Sequence, residues 1–192
     1  MLRGKSNARC VRKAALSSLS LVVMLGLLAP ASAQLPVAGL SSISPPGAKG
    51  GSEVEVKITG DNLDDVNQLI FSHTGITATP KMEPAGDFVK DPRPLPGEFV
   101  VKIAGNVPSG LYEVRAVGRY GMTNPRTFHV TKLEEVHEVS GNNTPDKAVE
   151  IATGSVVNSQ SDNDNIDYYK VNAKQGERLL IDCWAQRIDS RM

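Results

Sequence analysis

Short runs that alternate apolar and polar residues, each closed by a glycine, proline or asparagine turn, fill this chain from Ile43 onward. Val54, Val56 and Ile58 interleave with Glu53, Glu55 and Lys57. A period of two puts the first set on one side of a strand and the second on the other, so one face is buried and one is wet. Gly60-Asp61-Asn62 then ends the strand. Leu69-Ile70-Phe71 reads as a shorter, more buried strand, and Phe99/Val101/Ile103, Tyr112/Val114/Ala116 and Phe128/Val130 resume the alternation. Turns are expected at Pro108-Ser109-Gly110 and from Gly118 to Gly121. No stretch of this region keeps a helical apolar period. Strands and turns at this spacing predict an all-β sandwich.

The first 33 residues follow a different pattern. Arg3, Lys5, Arg9, Arg12 and Lys13 form a basic start without an acid, and an apolar run follows from Ala14 to Leu28. Pro30 and the small-x-small sequence Ala31-Ser32-Ala33 close it. These are the three parts of a secretory signal peptide, with cleavage predicted after Ala33. The apolar run, about 15 residues, is short of the roughly 20 that span a bilayer. Cys10 lies in the basic region, so it is not a lipid-attachment cysteine. The expected location is secreted, periplasmic or cell-envelope, with no membrane span after cleavage.

Cleavage changes both charge and cysteine chemistry. The whole chain carries 21 basic and 21 acidic side chains; losing five basic ones leaves a mature chain with 16 against 21, a net charge of about −5. An acidic chain is a poor partner for nucleic acid or an anionic membrane surface. Cys183 is the one cysteine left, so no intrachain disulfide can form. Stability must come from packing or metal. Cys183 itself is expected to be a small buried hydrophobe, with a reactive thiol or an intermolecular bridge as the alternative.

Pro80, Pro84, Pro92, Pro94 and Pro96 crowd the stretch from Pro80 to Gly97. Proline cannot donate to a strand ladder, so a surface loop is expected there. Residues 132–146 read as a linker. Beyond it, Tyr169/Val171/Ala173 and Leu179/Ile181/Cys183 alternate around Lys174-Gln175-Gly176-Glu177, which predicts a hairpin. About 45 residues without disulfides rarely make an independent core. This second part is therefore expected either to pack on the first or to be the front of a longer protein.

Two stretches resemble known families. Ile43-Ser44-Pro45-Pro46-Gly47, the Val54–Thr59 strand and Gly60-Asp61-Asn62-Leu63 are similar to the opening of an IPT/TIG-type immunoglobulin-like domain. Val107-Pro108-Ser109-Gly110-Leu111-Tyr112 resembles its penultimate strand and Phe128-His129-Val130 its closing one. The resemblance covers about residues 41–131 and implies an immunoglobulin-like β-sandwich. The proline-rich 80–97 stretch departs from it. Asp164-Asn165-Ile166-Asp167-Tyr168-Tyr169-Lys170-Val171, with Ala173 to Leu179, resembles the bacterial pre-peptidase C-terminal domain, Asn165 replacing its first Asp. Residues 147–192 would then be the first strands of a second, jelly-roll-like sandwich, incomplete here. This likeness implies an accessory role beside secreted proteases and other exported proteins. Some relatives bind matrix polymers or calcium.

The catalytic signatures sought are absent from the sequence. There is no Gly-x-Ser-x-Gly nucleophile elbow, and His137-Glu138 lacks the second histidine of a zinc-protease helix. His129, between Phe128 and Val130, is expected to face solvent. Trp184 is expected in a core or a domain interface. The densest polar cluster, Asp162 to Asp167, offers the carboxylate and amide oxygens that calcium prefers, so Asp162, Asp164 and Asp167 are candidate calcium ligands. A solvated turn whose Asp and Asn bond their own backbone is the alternative. Asn142-Asn143-Thr144 has the glycosylation pattern but is expected to be only a turn. No catalytic and no cofactor-binding residue is assigned. The expected function is a non-catalytic exported modular protein for adhesion, scaffolding or accessory binding, with an envelope or matrix protein or polysaccharide as partner. The alternative is the amino-terminal accessory region of a longer secreted hydrolase, a peptidase in particular.

Overall fold

The computed structural model describes residues 35–84, 91–137, 140–159 and 166–189. The expected export signal, with its expected cleavage after Ala33, and the candidate ligands Asp162 and Asp164 lie outside them. In chain order, nine strands make the first part: β1 (Gly39–Ser44), β2 (Gly47–Lys49), β3 (Glu53–Asp61), β4 (Gln68–Phe71), β5 (Ile76–Met82), β6 (Pro94–Ile103), β7 (Gly110–Gly118), β8 (Gly121–Met122) and β9 (Arg126–Thr131).

The strands sort into two sheets. One has the order β1-β3-β6-β5, antiparallel throughout; the other has β2-β9-β7-β4, with β8 beside β7. This is the division of strands found in an immunoglobulin-like sandwich: first, second, fifth and fourth on one sheet, third, sixth and seventh on the other. The short β2 joins the closing strand β9 in parallel. A second immunoglobulin hallmark is present where the chain enters β7. The Tyr112 hydroxyl donates to the Pro108 carbonyl at 2.7 Å, a tyrosine corner four residues deep.

The alternation read from the sequence has the predicted consequence. Val56, Phe99, Val101 and Ile103 of one sheet meet Leu69, Val114, Ala116, Phe128 and Val130 of the other in a single core. Phe71 packs edge-on against Phe128, ring centroids 5.3 Å apart. Each fully buried Phe or Val side chain of this kind contributes about 1.5–3 kcal/mol relative to exposure. Two glycines allow close backbone approaches that bind the edges. A Cβ on Gly47 would sit 2.3 Å from the His129 carbonyl oxygen, and one on Gly60 would sit 2.0 Å from that of Gly39.

Three expectations are corrected here. The proline-rich stretch is not all loop: Pro80 lies in β5, and Pro94 and Pro96 open β6. The edge position explains the tolerance, because β5 ends its sheet and β3 pairs with β6 only as far as Glu98. Ile70 faces outward and is exposed, while Leu69 beside it is buried. Cys183 is exposed, not buried.

The second part adds β10 (Glu134–His137), β11 (Val149–Ile151), β12 (Ser155–Asn158) and β13 (Tyr169–Val171), with 3-10 turns at Pro145–Lys147 and Gln186–Ile188. β10 falls within the stretch expected to be linker. It pairs in parallel with β12, and β11 pairs in parallel with β13. The expected hairpin does not form: β13 takes β11 as its neighbour, and Leu179–Cys183 belongs to no strand. Every buried hydrophobic among the described residues lies between Ala38 and Val130. Among its described residues the second part has no buried hydrophobic, and its strands are at most half-buried. Among the described residues no helix is long and apolar enough to cross a membrane.

Candidate functional site

The two outer faces of the sandwich differ in chemistry. On the β3–β6–β5 face the alternation exposes charges that neutralise one another. Lys102 donates to Glu53 at 2.7 Å, and Lys81 lies between Glu55 at 2.8 Å and Glu98 at 3.2 Å. Both lysines are held above the ordinary range, first by hydrogen bonds to these carboxylates. Such a face is satisfied and solvated.

The β4–β7–β9 face is mixed. Its outward residues are Ile70 on β4, Leu111, Glu113 and Arg115 on β7, and Thr127 and His129 on β9. Leu111, at the start of β7, and Ile70, on β4 directly opposite Arg115, are exposed aliphatics. Beside Ile70, Arg115 reaches Glu113 at 3.6 Å and donates to the Thr123 carbonyl at 3.3 Å. Ser72 holds the middle of the row by accepting the Glu113 amide at 3.0 Å.

The chain's last described residues fold onto β9. The Trp184 ring lies 4.7 Å from that of His129, and the Asp189 carboxylate accepts from Thr127 at 2.7 Å. Trp184 also donates to Asp182 at 2.6 Å, with the Arg187 guanidinium 5.7 Å over its ring. His129 therefore points outward, as its alternation implies, but is half-covered. Burial lowers its pKa from the usual imidazole value. Trp184 is an interface residue between the two parts of the chain.

The remaining candidates do not converge. His73 accepts the Gly75 amide at 3.0 Å and packs edge-on against Tyr112, so it shapes a turn. A shallow groove between β3 and β10 is lined by Lys49, Ser52, Glu53, Glu134, Glu135 and His137. Lys49 and Glu134 pair across it. Glu135 is half-buried, which raises its pKa; the Asn158 amide bonds one of its oxygens and partly offsets this, while Oε1 has no partner. Of the candidate calcium ligands, Asp167 accepts from the Ser159 hydroxyl at 3.0 Å. Among the described residues, no group of three or more His, Cys, Asp or Glu is placed to hold a metal. Asn142 is buried: its side-chain amide donates to the Tyr168 carbonyl at 3.4 Å, and its main-chain carbonyl accepts the Tyr168 amide at 2.9 Å.

The mixed face of β4–β7–β9 is what sequence reasoning missed. The signal was present: Ile70 breaks the apolar run with the wrong parity for the core, and Leu111 sits on the polar phase of β7. No protein-family model and no curated protein matches this chain.

Proposed function

We propose that this chain is a non-catalytic exported protein whose sandwich recognises an envelope or matrix partner through the outer face of β4 and β7. The observation that carries the reading is the contrast between the two sheets. One outer face cancels its own charge, while the other leaves two aliphatics exposed next to the Arg115–Glu113 pair, Ile70 across from Arg115 and Leu111 two residues before Glu113. Aliphatic anchors beside a charged pair suit a protein surface, which combines apolar contact with charge complementarity. A polysaccharide is the weaker fit, because sugar rings favour exposed aromatic faces and Trp184 is already engaged by His129.

The likeness of residues 41–131 to IPT/TIG-type domains, and of 147–192 to pre-peptidase C-terminal domains, supports an accessory role outside the cytoplasm. It also suits the amino-terminal region of a longer secreted hydrolase, which a protease motif encoded beyond Met192 would favour. The direct test is capture of envelope and matrix proteins by immobilised residues 34–192. Leu111→Glu is expected to weaken capture at least tenfold, while Lys102→Glu on the opposite face leaves it unchanged. Equal loss from both substitutions, or capture of polysaccharide alone, contradicts the reading.

A further inference from the structure

Residues 182–189 lie on the outer row of β9 as a bound peptide would. Two side chains reach the row: the Trp184 ring lies 4.7 Å from that of His129, and the Asp189 carboxylate accepts from Thr127 at 2.7 Å. The segment's own main-chain bonds turn inward, from the Ile188 amide to the Ala185 carbonyl at 3.2 Å and from the Asp189 amide to the Gln186 carbonyl at 3.1 Å. Asp182 shapes it further by accepting from the Trp184 indole at 2.6 Å and from Arg187 at 3.3 Å. Residues 172–181, which lead to it from β13, are exposed throughout and belong to no strand. Leu180 and Ile181 in this lead are 87% and 86% exposed, so packing of the lead does not hold the segment down. A segment that shapes itself, and is attached through side chains at the end of an unpacked tether, can leave the row without opening the sandwich.

We infer that Thr127 and His129 form a peptide-docking row, closed in cis by the chain's own residues 182–189, that takes a partner protein's segment carrying an aromatic ring and, a few residues on, a carboxylate. The resident segment shows the chemistry: the imidazole offers ring surface to a ring, and the hydroxyl donates to a carboxylate. Tethering gives the resident an effective concentration in the millimolar range. A partner segment must bind more tightly than the resident to replace it, so the resident is an autoinhibitory cover. A second copy of this chain offers the same contacts without the advantage of the tether, so exchange between copies is negligible below millimolar chain. Docking on β9 does not depend on recognition by β4 and β7, although Leu111 and Glu113 of β7 stand directly opposite His129 and Thr127.

The probe is a synthetic peptide of residues 182–189 with Cys183→Ser, titrated into isotope-labelled residues 34–192, which contain the whole compact unit Pro36–Met192. The readout is the amide NMR shifts of Thr127 and His129. In the double variant Trp184→Ala/Asp189→Ala the chain's own segment has lost both contacts with the row. There the peptide is expected to bind with a dissociation constant on the order of 1 mM. In the unaltered chain the apparent constant is expected to be about tenfold weaker, since the row is open only part of the time. Thr127→Val and His129→Ala, each added to the double variant, are expected to weaken binding several-fold. A peptide lacking the indole and the Asp189 carboxylate is expected to leave the shifts unmoved. No binding to the double variant, equal binding to the unaltered chain, or shifts indifferent to Thr127→Val and His129→Ala overturn the inference. Dimerisation of the unaltered chain below about 0.1 mM overturns it too, by giving the row to a second copy.

Discussion

Asn124 accepts the Leu40 amide at 2.8 Å through Oδ1 and donates back to the Leu40 carbonyl at 3.0 Å. Arg126 adds a third bond to the same carbonyl at 2.8 Å. One side chain thus does for the bulged start of β1 what a neighbouring strand would do, tying the first sheet to the second. Removing it leaves the Leu40 amide without its acceptor beside a fully buried side chain, and an unsatisfied group of this kind costs about 1–3 kcal/mol. Asn124→Ala is expected to lower unfolding free energy by about that amount in urea denaturation; a loss below the error of the fit would show that water replaces the amide without cost. Nothing in the sequence marks Asn124, because a bond from side chain to distant backbone leaves no periodic trace. Tyr112 is different: its place after Pro108-Ser109-Gly110 is visible in sequence, although its hydrogen bond is not.

At the scale of the element, period-two alternation identified strands well and their partners poorly. β3, β6, β7 and β9 stand where the interleaved Val, Ile and Phe residues place them. The hairpin over Tyr169–Cys183 failed because alternation says which residues share a face, and nothing about which strand lies alongside. Proline misled in the opposite direction, since an edge strand such as β5 tolerates a missing donor. Coverage of β9 by the chain's end also lay beyond sequence reasoning, and it has a pH signature. Burial holds His129 below its unfolded pKa, so the neutral ring's contribution is complete above about 6.5 and is lost as pH falls through the folded value. Protonation also brings a second cation to Trp184, beside Arg187. Trp184 is the only tryptophan. Its fluorescence is therefore expected to shift to the red between about pH 7 and 5, and His129→Gln is expected to flatten the response. An unshifted native spectrum would mean that the segment stays docked whatever the charge on His129.

At the scale of the whole molecule, one core supports two parts of the chain. The sandwich encloses every buried hydrophobic among the described residues, from Ala38 to Val130, while β10 to β13 pair in twos with half-buried side chains. Composition and alternation made the sandwich legible, because a buried face must be apolar at every second position. They left the second part obscure, since it has too few core positions to impose a pattern. Among the described residues, the buried polar atoms without partners, on Glu135, Thr144 and Tyr169, all belong to this second part, where packing is thinnest. Local opening free energies follow the density of buried apolar contacts. Native-state hydrogen exchange on residues 34–192 tests this division most directly. The amides of Val56, Val101, Val114 and Val130 are expected to exchange only by global unfolding, and those of Val149–Ile151 and Tyr169–Val171 through openings several kcal/mol smaller. Equal protection in both parts would contradict the account, by showing that the second part unfolds only with the sandwich.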